Sequence, residues 1–312
     1  MPLFGRKRPA VPDGPPDETF PFFTHVEAAR FRDLARQGFA EAGLEVTMHP
    51  DHVVDDAGRM FGLANLAAAC HNADRGEREW RTITRDHAAR IVRSMDQPSP
   101  FESMSRPELM AATYLRLTPT ADLAPVRASY AHEVVEGISE VLNVDLPETV
   151  MTYLDEHVEQ LGPLEDLRRV GLANLRQVRF DERQRVAAPG GGAFEVLLGE
   201  SMFTATKLLI LDEVLAEQRI EHRPENGVLV VAPFRHQLAV HPIHDASVVP
   251  ALNGLALFAQ LGHDDAPGPL SPHVYWWRGG ELRQLSRRGP DGTTIEADED
   301  FTEVLERVSG RA

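Results

Sequence analysis

Gly227-Val228-Leu229-Val230-Val231-Ala232-Pro233-Phe234-Arg235-His236-Gln237-Leu238-Ala239-Val240-His241 is the stretch on which the fold turns. Two short apolar runs, Val228 to Ala232 and Gln237 to His241, flank a break that contains proline, and this pattern predicts the two arms of a β-hairpin. Neither run approaches the ~20 apolar residues that a membrane-spanning helix needs.

Working outward, Ala193 to Leu198 reads as a strand behind the Pro189-Gly190-Gly191-Gly192 turn, and Phe203 to Gln218 as a helix with Leu208, Leu211, Val214 and Leu215 facing inward. Downstream, Ser247 can cap a helix that Gly262 ends. His273 to Trp277 and Leu282 to Ser286 bracket a second hairpin turn at Arg278-Gly279-Gly280-Glu281, ahead of a terminal helix from Phe301 to Val308. The amino-terminal half predicts a helix from Thr24, its N-cap, to Ala42, short strands at Leu44 to Met48 and His52 to Val54, and helices from about Leu63 and Glu79. Farther on come β-like segments at Leu115 to Leu117, Val141 to Val144 and Thr149 to Tyr153, then helices at Asp155 to Leu161 and Leu164 to Val178. The expected fold class is α+β, a mixed α/β chain with antiparallel or mixed sheets and packed helices. Expected divisions are a flexible proline-rich tail over 1–18, a region over 19–122 ending in the Thr118-Pro119-Thr120-Ala121-Asp122 stretch, and a region over 123–312.

At 312 residues, with 42% hydrophobic and 26% charged side chains, the chain can bury a substantial core without a staple. Its lone cysteine, Cys70, fits a reducing compartment, and Pro9 to Asp17 stands where a signal peptide would need an apolar core, so the expected location is the cytoplasm. A net charge of −16 repels phosphate backbones at long range and argues against nucleic acid as a partner. Cofactors and membrane spans are not expected; a protein partner is. Leu3 and Phe4, beside Arg6, Lys7 and Arg8, offer a weak docking element in the tail.

Val141-Leu142-Asn143-Val144-Asp145-Leu146-Pro147-Glu148, an apolar strand and a helix are followed by Gly171-Leu172-Ala173-Asn174-Leu175. Then Gly199-Glu200-Ser201-Met202-Phe203-Thr204-Ala205-Thr206 opens a helix, and Val228 to Pro233 leads into Arg235 and a second apolar strand. In this order and spacing, over roughly Phe61 to Val240, the chain resembles the YtpQ-like family of bacterial proteins of unknown function. The resemblance implies a cytosolic α/β-type fold and no particular activity. His236 stands where an aspartate is expected in relatives.

Candidate chemistry concentrates at His236, His241, His244 and Asp245, with His222 and His263 nearby in sequence. Imidazole and carboxylate suit divalent metals, so His241, His244 and Asp245 are the candidate ligands of a metal-dependent hydrolase. Their spacing lacks the helical i, i+4 histidine pair and adjoining glutamate of a metalloprotease. The Gly190 to Gly192 run precedes a strand rather than a helix, which favours a hairpin turn over a phosphate cradle. Cys70 and His71 are adjacent, which on a helix points them about 100° apart and denies them a nucleophile–base geometry. Glu133, Glu136 and Glu140 fall at helical spacing and predict a solvated acidic helix face. Strand alternation sends Trp276 and Trp277 opposite ways, so one of them is either a candidate exposed anchor beside Tyr275 and Arg278 or, as is commoner for a large aromatic, covered by the terminal helix. The leading expectation is therefore a non-enzymatic binding or regulatory protein using Arg235, His236, Trp276, Trp277 and Arg278, with the hydrolase as the alternative.

Overall fold

The computed structural model describes residues 14–95, 98–124, 126–147, 149–289 and 292–310. Two compact units emerge, one running up to Pro98 and including Asp265–Pro267, the other comprising Ser99–Asp264 and Gly268 onward.

In the first unit, Thr24 closes a capping box on α1 (His25–Glu41): its Oγ1 accepts from Glu27 N at 3.2 Å while the Glu27 carboxylate accepts from Thr24 N at 2.8 Å. A three-stranded antiparallel meander follows, β1 (Val46–Met48), β2 (His52–Asp55) and β3 (Met60–Gly62), then α2 (Ala64–His71) and α3 (Glu77–Met95). Their core gathers Phe20, Phe23, Phe31, Phe39, Val53, Leu66 and Trp80. Cys70 is enclosed there, its thiol pushed up to about 12 by burial, which makes it an inert packing group.

The expected tail needs correcting within 14–18, while residues 1–13, with Leu3, Phe4 and the basic cluster, lie outside the described residues. Pro16 bridges Thr24, and the buried Asp17 accepts from Thr19 N and Phe20 N and pairs with Arg32 at 2.8 Å. Proline density suggested disorder, but one buried carboxylate with four donors ties the segment down. The Arg32 hydrogen bond leads in lowering the Asp17 pKa from 3.8 to about 2. Because the folded value lies below the unfolded one, the contribution is complete above pH ~4 and is lost as pH falls through ~2. Solvent screening leaves it of order 1 kcal/mol. Asp17→Asn should therefore flatten the acid limb of a stability–pH curve between those limits and lower stability at pH 7; an unchanged acid limb would remove Asp17 from this role.

The second unit begins with two short helices, α4 (Pro100–Ser103) and α5 (Arg106–Ala111). Next come β4 (Thr113–Pro119), β5 (His132–Val135), β6 (Ile138–Asp145) and β7 (Val150–Thr152), which form an antiparallel sheet ordered β4-β6-β5, with β7 also on β6. Helices α6 (Asp155–Leu161) and α7 (Leu164–Leu175) follow. The remaining elements are β8 (Glu182–Ala187), β9 (Ala193–Leu198), α8 (Leu211–Glu217), β10 (Val228–Val231), β11 (Gln237–Pro242), α9 (Val248–Asp265), β12 (Tyr275–Arg278), β13 (Glu281–Gln284), the hairpin β14 (Ser286–Gly289) with β15 (Gly292–Ile295), and α10 (Glu299–Val308).

The opening hairpin is β10–β11, in register Val230↔Val240, at the centre of an antiparallel sheet ordered β13-β12-β10-β11-β9-β8. Both faces of that sheet are buried. Val228, Val230, Leu238, Val240, Tyr275 and Trp277 face a core shared with Phe203, Leu208, Leu211 and Val214. Leu229, Val231, Ala239 and Trp276 face Leu252, Leu255 and Phe258 of α9 and Phe301 and Val304 of α10. The α+β class is thus the observed one.

Several local expectations change. Compact-unit division falls at Pro98–Ser99 rather than at Asp122–Leu123. The Thr118 to Asp122 stretch, polar and proline-bearing like a linker, is the end of β4 and a 3₁₀ turn over Thr120–Leu123, pinned by Thr120 N to Gly137 O at 2.9 Å and Thr120 Oγ1 to Ser139 Oγ at 2.9 Å. Glu133, Glu136 and Glu140 lie on β5, its turn and β6, not on a helix, and Glu140 is buried against Arg168 of α7. The helix expected from Phe203 is a 3₁₀ segment, Ala205–Ile210, that breaks before α8 at Ile210 (φ −125°, ψ 40°). Gly190–Gly192 forms the β8–β9 turn, as its context suggested. Gly62-Leu63-Ala64-Asn65-Leu66 and Gly171-Leu172-Ala173-Asn174-Leu175 are the same five residues, yet Gly62 ends β3 whereas Gly171 sits inside α7, so the shared pentapeptide serves two different local structures.

Candidate functional site

The histidine segment does not assemble as a metal centre. His241, on β11, is buried, and its Nδ1 lies 2.7 Å from Ala193 O, so that nitrogen carries the proton and donates. Its Nε2 is left occluded and without a partner, and burial holds the imidazole below its ordinary pKa. His244 and Asp245 are exposed: His244 Nε2 approaches Glu221 O at 3.1 Å, and the Asp245 carboxylate accepts from Ser247 N at 2.8 Å. Among the described residues no three His, Cys, Asp or Glu side chains converge as metal ligands. His222 lies edge-on to Trp277 and His263 pairs with Asp264.

Of the two readings of the tryptophans, the exposed anchor is corrected and the cover by the terminal helix is found for Trp276. Trp276 is 1% and Trp277 7% exposed, because the alternation that points them apart sends each into one of the two cores of a doubly covered sheet. Arg278 lies 4.6 Å from the centroid of the Trp276 ring and caps it rather than flanking an exposed aromatic.

Arg235 and His236, in the β10–β11 turn, occupy a built setting. Arg235 Nε donates to His236 Nε2 at 2.9 Å, which requires that nitrogen to be bare; the ring proton then sits on Nδ1, 3.1 Å from its acceptor Gly199 O. Burial, followed by the Arg235 charge, keeps the ring neutral by lowering its pKa. The 199–206 loop is laced to the same turn through Gly199 N to His236 O at 3.1 Å and Ala205 N to Arg235 O at 3.0 Å. A Cβ at Gly199 would press into Thr204 Oγ1 and stand 3.1 Å from Arg179 O, so a side chain there would force the Thr204 hydroxyl aside.

From that loop Phe203 stacks on Tyr114 of β4 at 4.5 Å, and Thr206 Oγ1 accepts from Leu117 N at 3.1 Å. Two residues beyond Tyr114, on the same strand face, stands Arg116, whose half-buried guanidinium feels both Arg235 and Asp122. Asn143 of β6 shares this face by register, and Asn174 of α7 donates to the Thr113 carbonyl at 2.7 Å. Residues of β6, α7 and the 199–206 loop therefore meet around β4 and the Arg235 turn. Arg116 itself was not legible: in Tyr114-Leu115-Arg116-Leu117 a charge at an alternate position reads as the solvent face of a strand.

Near the β5–β6 turn, a cleft of about 300 Å³ opens against the β12–β13 sheet edge, lined by Glu136, Ser271, His273, Tyr275, Gln284 and Arg287 among others. Ser271 Oγ and Tyr275 OH share a buried hydrogen bond of 2.6 Å, and His273 N donates to the same Ser271 oxygen at 3.1 Å. His273 Nδ1 is occluded and has no partner among the described residues. Desolvation, then the charges of His263, Arg287 and Arg288, lower the His273 pKa against the opposing pull of Glu136. Arg287 pairs with Glu296 at 3.0 Å and Arg288 with Asp264 at 2.7 Å, whereas Glu136 forms no ion pair with a described residue. Among the described residues Glu136 is thus the one carboxylate lining the cleft, held off from direct pairing though within the field of Arg287. Nothing in the sequence marks this group, because its members come from 136–138 and 270–288 and meet only through the fold.

No protein-family model, curated protein or solved structure matches the chain.

Proposed function

We propose that this is a non-enzymatic binding protein that seats a small ammonium-bearing molecule in the cleft between the β5–β6 turn and the β12–β13 edge. The observation that carries the reading is a carboxylate without an ion pair to a described residue, Glu136, lining one 300 Å³ space together with His273, whose Nδ1 has no hydrogen-bond partner among the described residues. That volume is at the lower end for small-molecule pockets, and a few convergent polar groups in such a space are the usual form of a ligand site. A neutral His273 protonated on Nε2 offers an acceptor at Nδ1; Glu136 offers a second, charged one. Binding rather than turnover is favoured because Ser271 Oγ, the nearest hydroxyl that could act as a nucleophile, is already engaged by Tyr275 and His273 N and has no base on it.

Saturation-transfer NMR with ethanolamine, glycine, glycerol and acetate tests the reading. Ethanolamine should bind best and acetate worst, and Glu136→Gln should weaken ethanolamine by about tenfold or more, the size of a charge-assisted hydrogen bond. Preference for acetate, or unchanged ethanolamine binding in Glu136→Gln, would overturn it.

A further inference from the structure

Many arginines of this acidic chain pair with carboxylates, among them Arg32 with Asp17, Arg59 with Asp55, Arg168 with Glu140, Arg176 with Glu213, Arg183 and Arg185 with Glu195. Of the half-buried ones that do not, Arg278 caps the Trp276 ring, which leaves Arg116 and Arg235. Neither forms an ion pair with a described carboxylate, and Arg116 Nε is occluded without any acceptor. Burial opposes the charge on each, and on Arg116 the positive field of Arg235 adds to it. The 199–206 loop ties the two to one place, through Ala205 N to Arg235 O at 3.0 Å and Leu117 N to Thr206 Oγ1 at 3.1 Å, and desolvating two like charges there is unfavourable unless something of opposite sign completes them. Asp122, the carboxylate whose field reaches Arg116, stands beyond ion-pair distance, and burial pushes its own pKa up.

We infer that Arg116 and Arg235 form a binding site for a small oxyanion, a carboxylate or phosphate group held by both guanidiniums. Arg235 is set in advance for the task. His236 Nε2 accepts the hydrogen bond from the Arg235 Nε–H, so the two terminal nitrogens of the fork remain for a ligand, and the Nδ1–H to Gly199 O bond fixes the accepting ring. Gly268 (φ +72°) lets the arginine stem lie flat on the backbone, where a Cβ would come within 2.6 Å of Arg235 Cδ. Oxygen atoms of the ligand would supply the acceptor that Arg116 Nε lacks. His236 acts here as a positioning residue, and Asp122 as a competing negative charge. This site shares no residue with the Glu136 cleft.

Thermal melts and calorimetric titrations of the full chain, with potassium phosphate or sodium acetate against sodium chloride at matched ionic strength, test the inference. Phosphate or acetate should raise the melting midpoint saturably where chloride does not. Arg116→Gln and Arg235→Gln should each weaken binding about tenfold or more, while Asp122→Asn tightens it. Tighter phosphate than acetate names a phosphate ligand and the reverse a carboxylate; either order supports the site. Without oxyanion, Arg116→Gln should melt at or above the wild-type temperature, because it removes an uncompensated charge. An oxyanion response equal to that of chloride, unchanged binding in Arg116→Gln, or an Arg116→Gln protein that melts far below wild type or fails to fold would overturn the inference, the last by marking the arginine as structural.

Discussion

Trp276→Ala is expected to cost about 3–5 kcal/mol of unfolding free energy, the range for emptying a large aromatic site in a core that only partly collapses. The indole lies on the α9/α10 side of the central sheet, 5.2 Å from the Phe301 ring, so truncation opens a void beneath the terminal helix. A second loss is polar. Trp276 Nε1 donates to Asn226 O at 2.9 Å, and Asn226 is itself buried, donating to Ile243 O at 2.9 Å and accepting from Arg307 at 2.8 Å. Trp276→Phe keeps most of the volume and isolates that bond, for which about 1–2 kcal/mol is expected. Urea unfolding followed by far-ultraviolet circular dichroism and by the fluorescence of the remaining Trp80 and Trp277 reads both changes, with a lower midpoint and an unaltered slope. An alanine variant within 1 kcal/mol of wild type would contradict the double burial of the sheet.

That double burial explains how far the sequence could be read. Hairpins at 228–241 and 273–286 were legible because apolar runs bounded by proline or paired glycines have few alternatives, and the Thr24 cap because its partner Glu27 is three residues away. Both signals are local. Which face of a strand is covered is not local: β12 alternates Tyr275-Trp276-Trp277 in the same way whether one side or two are packed, and only α9, α10 and the 3₁₀–α8 layer decide. Glutamates 133, 136 and 140 gave a helical spacing by coincidence, since the tight turn at Gly137 places them on two strands and the corner between. Of the candidate binding residues, Arg235 and His236 fell on a turn that the 199–206 loop surrounds, but the partner that gives them chemistry, Arg116, stands more than a hundred residues earlier. Its side chain had the address of a solvated residue and the environment of a buried one.

Lys207 shows the same effect on stability, because helical reading placed one of the chain's two lysines on a helix while the 3₁₀ segment turns it fully inward, 1% exposed. Its ammonium donates to Val178 O at 2.7 Å and Glu217 Oε2 at 3.0 Å and lies 4.8 Å from the Phe180 centroid. Methionine matches its length without its charge, so Lys207→Met should cost about 2–4 kcal/mol: a buried carbonyl loses its donor and a carboxylate loses its buried cation. Glu217 is one-third exposed and keeps Arg179 at 3.5 Å, which holds the loss below that for a fully enclosed pair. Glu217→Gln alone should cost about 1–2 kcal/mol, by leaving the ammonium with only neutral acceptors. The double variant should be no less stable than Lys207→Met, since without the lysine the carboxylate is a liability, and the cycle should therefore return a coupling of at least about 1 kcal/mol. Additive costs in urea unfolding would mean that the ammonium is held by the Val178 carbonyl and the ring face alone, with Glu217 a bystander at the edge of the core.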